Sequence, residues 1–278
     1  MKVYGSFFFL KIGDPPMEYT VVRMENICKR FGARVALDQA HLELNTGEIL
    51  GLVGDNGAGK STILKILSGV VSKDSGEIFI EGERVSVNDP RQSRDQGIEM
   101  VYQDLSLCGT LTVWENLFLG RYHTQPFLRF LFPILNRARM EREACSSLKE
   151  LGIDLPDIHQ PVRTLSGGQQ QAVAFCRCLL FHPKIVLLDE PMASMALWER
   201  EMILGLILGL KGRGCSIIMV THNLQDLFQV ADRVLVLKEG HSIWSGALAG
   251  VDPGDIAQLM FAGKMKGSQA RKGPAPKE

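Results

Sequence analysis

Residues 54–61 read GDNGAGKS, a glycine-rich string that ends in a lysine and a hydroxyl residue. An apolar run at residues 48–53 precedes it, and a helix-favouring run at residues 62–67 follows it. This order predicts a buried strand, a tight loop and a helix. Glycines let such a loop turn its backbone N–H groups towards phosphate oxygens, and the positive end of the following helix points at the same group. The stretch therefore predicts a phosphate-binding loop in an α/β fold.

Each residue of this loop is a candidate for nucleotide binding. Lys60 is placed to reach the β- and γ-phosphates as a point charge, and the Ser61 hydroxyl is a hard oxygen ligand for Mg²⁺. The loop alone does not separate a kinase from a GTPase or a transport ATPase. The candidate binding residues are Gly54, Asp55, Asn56, Gly57, Ala58, Gly59, Lys60, Ser61 and Thr62.

A second apolar run ends in two carboxylates, with residues 185–190 reading IVLLDE. In a parallel sheet the end of this strand lies beside the phosphate loop. Asp189 is then placed to hold Mg²⁺, directly or through water. Glu190 is placed to polarise a water molecule for attack on the γ-phosphate, a task that favours a partly desolvated carboxylate.

Strand-like and helix-like runs alternate along the rest of the chain, which favours an α/β domain with a mostly parallel sheet. Residues 1–19, which include Pro15-Pro16, are interpreted as a loose leader, and residues 263–278 as a disordered basic tail. The pattern predicts strands at residues 77–80 and 216–220, a turn at 81–83, a hairpin at 234–237 and 241–244, and a helix at 137–151.

Composition narrows the classes of function. The chain has 278 residues with 31 Lys+Arg and 31 Asp+Glu, so its formal net charge is zero. This balance gives no sequence-independent electrostatic attraction to nucleic acid. The longest apolar run, residues 202–210, is shorter than the roughly 20 residues of a transmembrane helix, so we expect any membrane role to be peripheral. The six cysteines form no Cys-x-x-Cys pair, which disfavours a disulfide framework or zinc site and predicts small buried thiols.

A third motif, LSGGQ, occupies residues 165–169. By itself it predicts a helix that begins after a capping serine, with two glycines at another anion-binding helix end. The same letters also occur in ordinary loops, so the order of the three motifs matters more than this one alone.

That order, with the phosphate loop first, then LSGGQ, then the Asp-Glu strand, resembles the ABC ATPase family over roughly residues 21–250. The resemblance implies a P-loop NTPase fold with a RecA-like α/β core, an antiparallel β subdomain and an inserted α-helical subdomain. The insert would run from about residue 104 to 182, within an ATPase domain at residues 20–262. ATP and Mg²⁺ are the implied cofactors.

Further positions match the family one by one. Gln103 resembles the glutamine that bridges to Mg²⁺ and senses the transmembrane partner. His222, which lies 33 residues after Asp189, resembles the histidine that contacts the γ-phosphate. Phe31 resembles the aromatic residue that stacks on adenine. The resemblance therefore implies a catalytic set and a metal set, the first being Glu190, His222, Gln103 and Lys60, the second Ser61, Gln103 and Asp189.

The resemblance also implies a site shared between two subunits. The signature residues of one subunit would face the γ-phosphate that Lys60 of the other holds, so that two ATP molecules join a head-to-tail dimer. A two-fold symmetric pair uses the same surface on both partners. The signature residues in question are Ser166, Gly167, Gly168 and Gln169.

Several strings resemble the ATP-binding proteins of bacterial monosaccharide importers of the ribose and fructose type, namely residues 54–61, 97–103, 116–121 and 230–233. This implies a peripheral position at the cytoplasmic face of the cell membrane, with permease subunits as partners and, indirectly, a solute-binding protein. Met192 replaces the usual Thr and Ala196 the usual Asp, and either change could lower turnover.

Three alternatives stay open: an ABC ATPase for an amino acid, lipid or drug, a non-transport ABC ATPase, and a relative that only binds nucleotide. The apolar run at residues 127–135 either lines a groove for the permease or packs within the helical subdomain.

Overall fold

A computed structural model describes residues 19–102, 104–127, 132–193 and 195–263. The predictions for Gln103, for the leader before Tyr19 and for the tail after Gly263 lie outside these residues.

The described residues form twelve β-strands and eight α-helices. The strands are β1 (Thr20–Phe31), β2 (Arg34–Asn45), β3 (Ile49–Gly54), β4 (Ser75–Ile80), β5 (Glu83–Val85), β6 (Ile98–Val101), β7 (Thr124–Phe127), β8 (Phe132–Leu135), β9 (Ile185–Asp189), β10 (Ser216–Val220), β11 (Arg233–Lys238) and β12 (His241–Ala247). The helices are α1 (Lys60–Leu67), α2 (Pro90–Asp95), α3 (Val113–Leu117), α4 (Arg137–Glu150), α5 (Gly167–Leu179), α6 (Leu197–Gly212), α7 (Leu224–Val230) and α8 (Pro253–Ala262).

The largest sheet has six strands in the order β12-β11-β3-β10-β9-β6. Its neighbouring strands are parallel except for β12, which pairs antiparallel with β11. All residues of β3, β9 and β10 are buried, as expected for strands of a parallel sheet that is covered on both faces. The sequence predictions of these three strands and of the β11–β12 hairpin are confirmed.

A second, antiparallel sheet has the order β2-β1-β4-β5. It contributes buried side chains such as Met24 and Leu42 to a core that also contains Ile63 and Leu64 of α1. The predicted turn is confirmed at Glu81 and Gly82, which have positive φ angles of 51° and 85°, whereas Glu83 already begins β5. This core joins the antiparallel sheet to the helix that follows the predicted phosphate loop.

A second core packs strand residues of the large sheet such as Val186 and Ile217 against Ile203 of α6. A third core forms around α3, α4 and α5, with the buried side chains of Val113, Phe118, Met140 and Val173 among its members. Helix α4 ends at Glu150, one residue before the predicted end, because Leu151 already serves as its C-cap. This core supports α5, the helix that begins directly after Ser166.

Within the apolar run at residues 127–135, Phe127 ends β7 and residues 132–135 form β8, which pairs antiparallel with β7. Residues 128–131 lie outside the description. Ile134 and Leu135 are exposed.

The prediction of buried thiols is wrong for half of the cysteines. Cys176, Cys178 and Cys215 are buried, and burial raises the pKa of Cys176 to about 12. Cys145 is exposed, and the remaining two, Cys28 and Cys108, are partly exposed. Among the helices of the described part, none combines the length and the apolar character that crossing a membrane requires.

Asn116 organises the loop that leads towards α5. Its side chain is fully buried; its Oδ1 accepts a hydrogen bond from the Cys108 N–H at 2.8 Å, and its Nδ2 donates to the carbonyls of Cys108, Leu111 and Thr112 at 3.0 to 3.2 Å. The Leu111 carbonyl in turn accepts from Val162, four residues before Ser166. One amide side chain thus fixes the backbone that positions the signature motif.

Asn116→Ala leaves the buried Cys108 N–H without its acceptor and removes one of the two hydrogen bonds that each of the three carbonyls accepts, so we expect the free energy of unfolding to fall by about 3 kcal/mol. Urea denaturation followed by circular dichroism measures this change. The control is Asn88→Ala, because Asn88 is exposed and its amide donates to Ser86 Oγ, and we expect a change within about 0.5 kcal/mol. Equal losses in the two variants would contradict the proposed role of Asn116.

Candidate functional site

Three parallel strands deliver the candidate residues to one edge of the large sheet. β3 runs into the glycine-rich loop, β9 ends at Asp189 and Glu190, and β10 is followed by Thr221 and His222. Carboxyl ends of parallel strands share one edge, which is where open α/β sheets bind ligands. A cleft of about 700 Å³ lies at this edge, a volume suited to a nucleotide-sized molecule. Its lining includes Phe31, Asn56, Lys60, Ser61, Glu190 and His222.

Two glycines allow the loop to follow its path. Gly54 has a φ of 151°, and a Cβ there would lie 2.1 Å from the carbonyl oxygen of Leu237. Gly59 has a φ of 107° and forms the N-cap of α1, so no side chain covers the first amides of that helix. Those amides and the positive end of the helix are therefore available to an anion in the cleft.

Lys60 is buried at the floor of the cleft. Its Nζ donates to the carbonyls of Gly54 and Asp55 at 2.7 and 2.9 Å. Burial lowers the pKa of Lys60, and the nearby carboxylates of Glu190 and Asp189 oppose that shift. The side chain is thus held across the loop, where a phosphate group can replace the carbonyls as its partner.

Asp189 and Ser61 form a pair of oxygen donors beside Lys60. The Ser61 hydroxyl donates to Asp189 Oδ1 at 3.1 Å, and Asp189 is 5% exposed. Burial raises the pKa of Asp189, and the hydrogen bond from Ser61 lowers it in part. A hydroxyl and a carboxylate at this distance form the kind of hard donor set that Mg²⁺ prefers.

Glu190 has a left-handed backbone conformation and a largely buried carboxylate. Its φ of 50° lies in the left-handed region, and its N–H donates to the Val220 carbonyl at 3.0 Å. Its Oε2 lies 2.9 Å from Nδ1 of His222, whose side chain is 71% exposed while that of Glu190 is 15% exposed. Seven described non-glycine residues have such a φ, Glu81 of the β4–β5 turn among them, and Glu190 is the one of these that lines the cleft. The sequence gives no signal for this backbone conformation.

Phe31 and Arg34 of the antiparallel sheet also line the cleft. Phe31 ends β1 and is 48% exposed, with Lys29 Nζ 5.4 Å from the centre of its ring. Arg34 begins β2, and its guanidinium lies so close to the loop that a Cβ on Gly57 would be 2.6 Å from it. Arg34 was not predicted from the sequence. The signal that could have indicated it is a basic residue three positions after the candidate adenine-stacking residue Phe31.

The signature motif forms the predicted capped helix start. Ser166 Oγ accepts from the Gln169 N–H at 3.2 Å, and Gln169 Oε1 accepts from the Ser166 N–H at 3.1 Å, which is a reciprocal capping box. Gly167 is exposed and Gly168 is buried. Residues 166–169 are not among the residues that line the cleft.

Met192 and Ala196, which depart from the family pattern, differ in burial. Met192 is 5% exposed and belongs to the second core, which packs against the large sheet. Ala196 is exposed, and its N–H donates to Glu199 Oε2 at 3.1 Å.

Comparison with known proteins gives concordant results. The family model described as ABC transporter matches residues 37–193. The fructose import ATP-binding protein FrcA of Rhizobium meliloti is 42% identical over 225 residues, which cover 80% of this chain and 86% of that protein. The xylose/arabinose import ATP-binding protein XylG of Sulfolobus acidocaldarius is 39% identical over 240 residues, which cover 86% of this chain and 93% of that protein.

A solved structure also resembles the fold. It is a dimeric ATP-binding cassette in a post-hydrolysis state bound to ADP and Pi, with a TM-score of 0.69 and 27% sequence identity, covering 83% of this chain and all of that one. The fold, the cleft at the sheet edge and these matches agree, and the chain belongs to the ABC transporter family as an ATP-binding ATPase subunit.

Proposed function

We propose that this ATPase subunit powers the import of a monosaccharide across the cytoplasmic membrane. The support is its identity of 42% and 39% with two proteins named for the import of fructose and of xylose or arabinose. The subunit would work peripherally at the cytoplasmic face, bound to permease subunits that receive the sugar from a solute-binding protein. Residues 20–262 would form the ATPase domain, with the third core marking the inserted helical subdomain at about residues 104–182.

The observation that carries the chemistry is the Glu190–His222 pair beside the phosphate loop. Glu190 Oε2 accepts a proton from the attacking water, because the carboxylate is only 15% exposed and faces the cleft. His222 orients that carboxylate from 2.9 Å and contacts the γ-phosphate. Lys60 and the loop amides hold the β- and γ-phosphates and stabilise the charge that develops on them.

Ser61 and Asp189 would hold Mg²⁺, with Gln103 as a further ligand. The oxygen donors fit the ion, since the two described side chains already approach to 3.1 Å. When bound, the ion neutralises charge on the β- and γ-phosphates. The role of Asp189 in the protein itself is to stay ionised despite its burial, which the hydrogen bond from Ser61 favours.

Phe31 would stack on adenine, and Arg34 would contact the phosphates next to the loop. Both line the cleft together with Glu190. An aromatic face binds any base without hydrogen-bond readout, whereas the guanidinium prefers the anionic part of the ligand.

The site would be completed by a second copy of the chain. The cleft has its phosphate loop, base and metal donors, but residues 166–169 lie outside its lining. A head-to-tail pair would bring Ser166, Gly167, Gly168 and Gln169 of each subunit to the γ-phosphate held by the other. The dimeric cassette bound to ADP and Pi supports this arrangement.

Phe31→Ala removes the stacking surface, so we expect the affinity for ATP and for ADP to fall by about tenfold each. Inorganic tripolyphosphate carries no base, and its affinity should stay unchanged. Phe31→Trp serves as the matched control and should bind ATP as the parent does. Isothermal titration with the three ligands checks this; an equal loss for tripolyphosphate would show that the variant has damaged the phosphate loop instead.

The transport function is tested with the subunit assembled with its permease in liposomes. We expect ATP hydrolysis to rise when a solute-binding protein loaded with fructose, ribose or arabinose is added. Glu190→Gln keeps the shape of the side chain without the base, and it should lower this rate by about 10²- to 10³-fold while ATP binding persists. Stimulation by a loaded amino-acid-binding protein, and by none of the sugars, would contradict the proposal.

A further inference from the structure

Glu199 joins the signature helix to the loop that follows Glu190. It lies in the first turn of α6, and its Oε1 accepts a hydrogen bond from the Gly168 N–H at 3.0 Å. Its Oε2 accepts from the Ala196 N–H at 3.1 Å. One carboxylate therefore bridges the start of α5 and the start of α6, through a contact between Gly168 and Glu199, which are 31 residues apart in sequence.

The glycine at position 168 is required by this contact. A Cβ on Gly168 would lie 2.5 Å from Oε1 and 2.9 Å from Cδ of Glu199. The carboxylate thus lies directly against the backbone of the signature motif, where a larger residue would push it away.

The next residue anchors the same turn of α6. Arg200 forms an ion pair with Asp226, which lies in the first turn of α7, four residues after His222. The backbone that carries Glu199 is therefore fixed from a second side, and the freedom that remains is rotation of the Glu199 side chain.

We propose that Glu199 occupies the anion site of the signature helix in the unpaired subunit and must yield that site to the γ-phosphate of the partner's ATP. This inference rests on the proposed head-to-tail dimer. A single N–H forms one strong hydrogen bond, so the carboxylate and the phosphate compete for Gly168. Both groups are negatively charged and would meet at the same positive helix end. Glu199 is thereby a positioning residue that sets the threshold for ATP-driven pairing.

The experiment measures ATP-dependent dimerisation in a Glu190→Gln parent, in which slow hydrolysis preserves the dimer. Glu199→Gln keeps the size of the side chain and removes its charge, and we expect the dimer Kd to fall about tenfold. Glu199→Ala removes the competing acceptor altogether and should also tighten the dimer. Sedimentation velocity gives the Kd, and thermal unfolding confirms that each variant is folded.

Glu201→Gln is the matched control. Glu201 lies two residues further along α6, is exposed, and loses the same charge without touching α5. We expect its Kd to equal that of the parent. The dependence of the dimer Kd on salt distinguishes repulsion from a purely structural role. Salt screens the repulsion between the Glu199 carboxylate and the phosphate, so the difference in Kd between the parent and Glu199→Gln should narrow as salt rises from about 0.05 to about 0.5 M.

The outcomes separate this inference from the function on which it rests. If the parent dimerises with ATP but both Glu199 variants pair equally well or more weakly, Glu199 does not compete with the phosphate and the inference is wrong. If Glu201→Gln tightens the dimer as much as Glu199→Gln, only the general charge of α6 matters, and the inference is also wrong. If the parent itself forms no dimer with ATP, the shared site of the proposed function fails first.

Discussion

The proposed site depends on the buried ammonium group of Lys60, which lies near three carboxylates and would also bind a triphosphate. Lys60 lies at the floor of the cleft, and burial lowers its pKa while Glu190, Asp189 and Asp55 favour its charged form. Its Nζ donates to two loop carbonyls at 2.7 and 2.9 Å. In the proposed function a triphosphate would replace those carbonyls, and Mg²⁺ held by Ser61 and Asp189 would offset the added negative charge.

The large sheet makes this placement possible because it gathers residues that are far apart in sequence. β3, β9 and β10 run parallel and are buried throughout, so their carboxyl ends are fixed relative to one another. Loops on a rigid edge can then adopt costly conformations such as the φ of 50° at Glu190. The antiparallel sheet adds Phe31 and Arg34 to the lining of the cleft.

Local patterns in the sequence predict the features that are themselves local. The glycine-rich loop, the apolar strands with their terminal carboxylates and the capped start of α5 all follow from residues adjacent in the chain. β1 was not predicted because its buried positions do not alternate regularly, and its pairing with β2 shifts register at several places. In β2 only residues 40–44 alternate between buried and exposed, which is a short signal within a strand of 12 residues. Arg34 at Gly57 and Glu199 at Gly168 are tertiary contacts that no short-range pattern contains.

The central claim is that each catalytic site is built from two chains, and mixing two defective subunits tests it most directly. Lys60→Ala destroys the phosphate loop, and Gly167→Asp places a negative charge on the signature at an exposed position with open space around its Cβ. Each variant alone should be inactive. An equal mixture should regain about a quarter of the parental ATPase rate, since half of randomly formed pairs are mixed and each mixed pair has one intact site out of two. A mixture as inactive as its components, although mixed pairs are shown to form, would contradict the shared site.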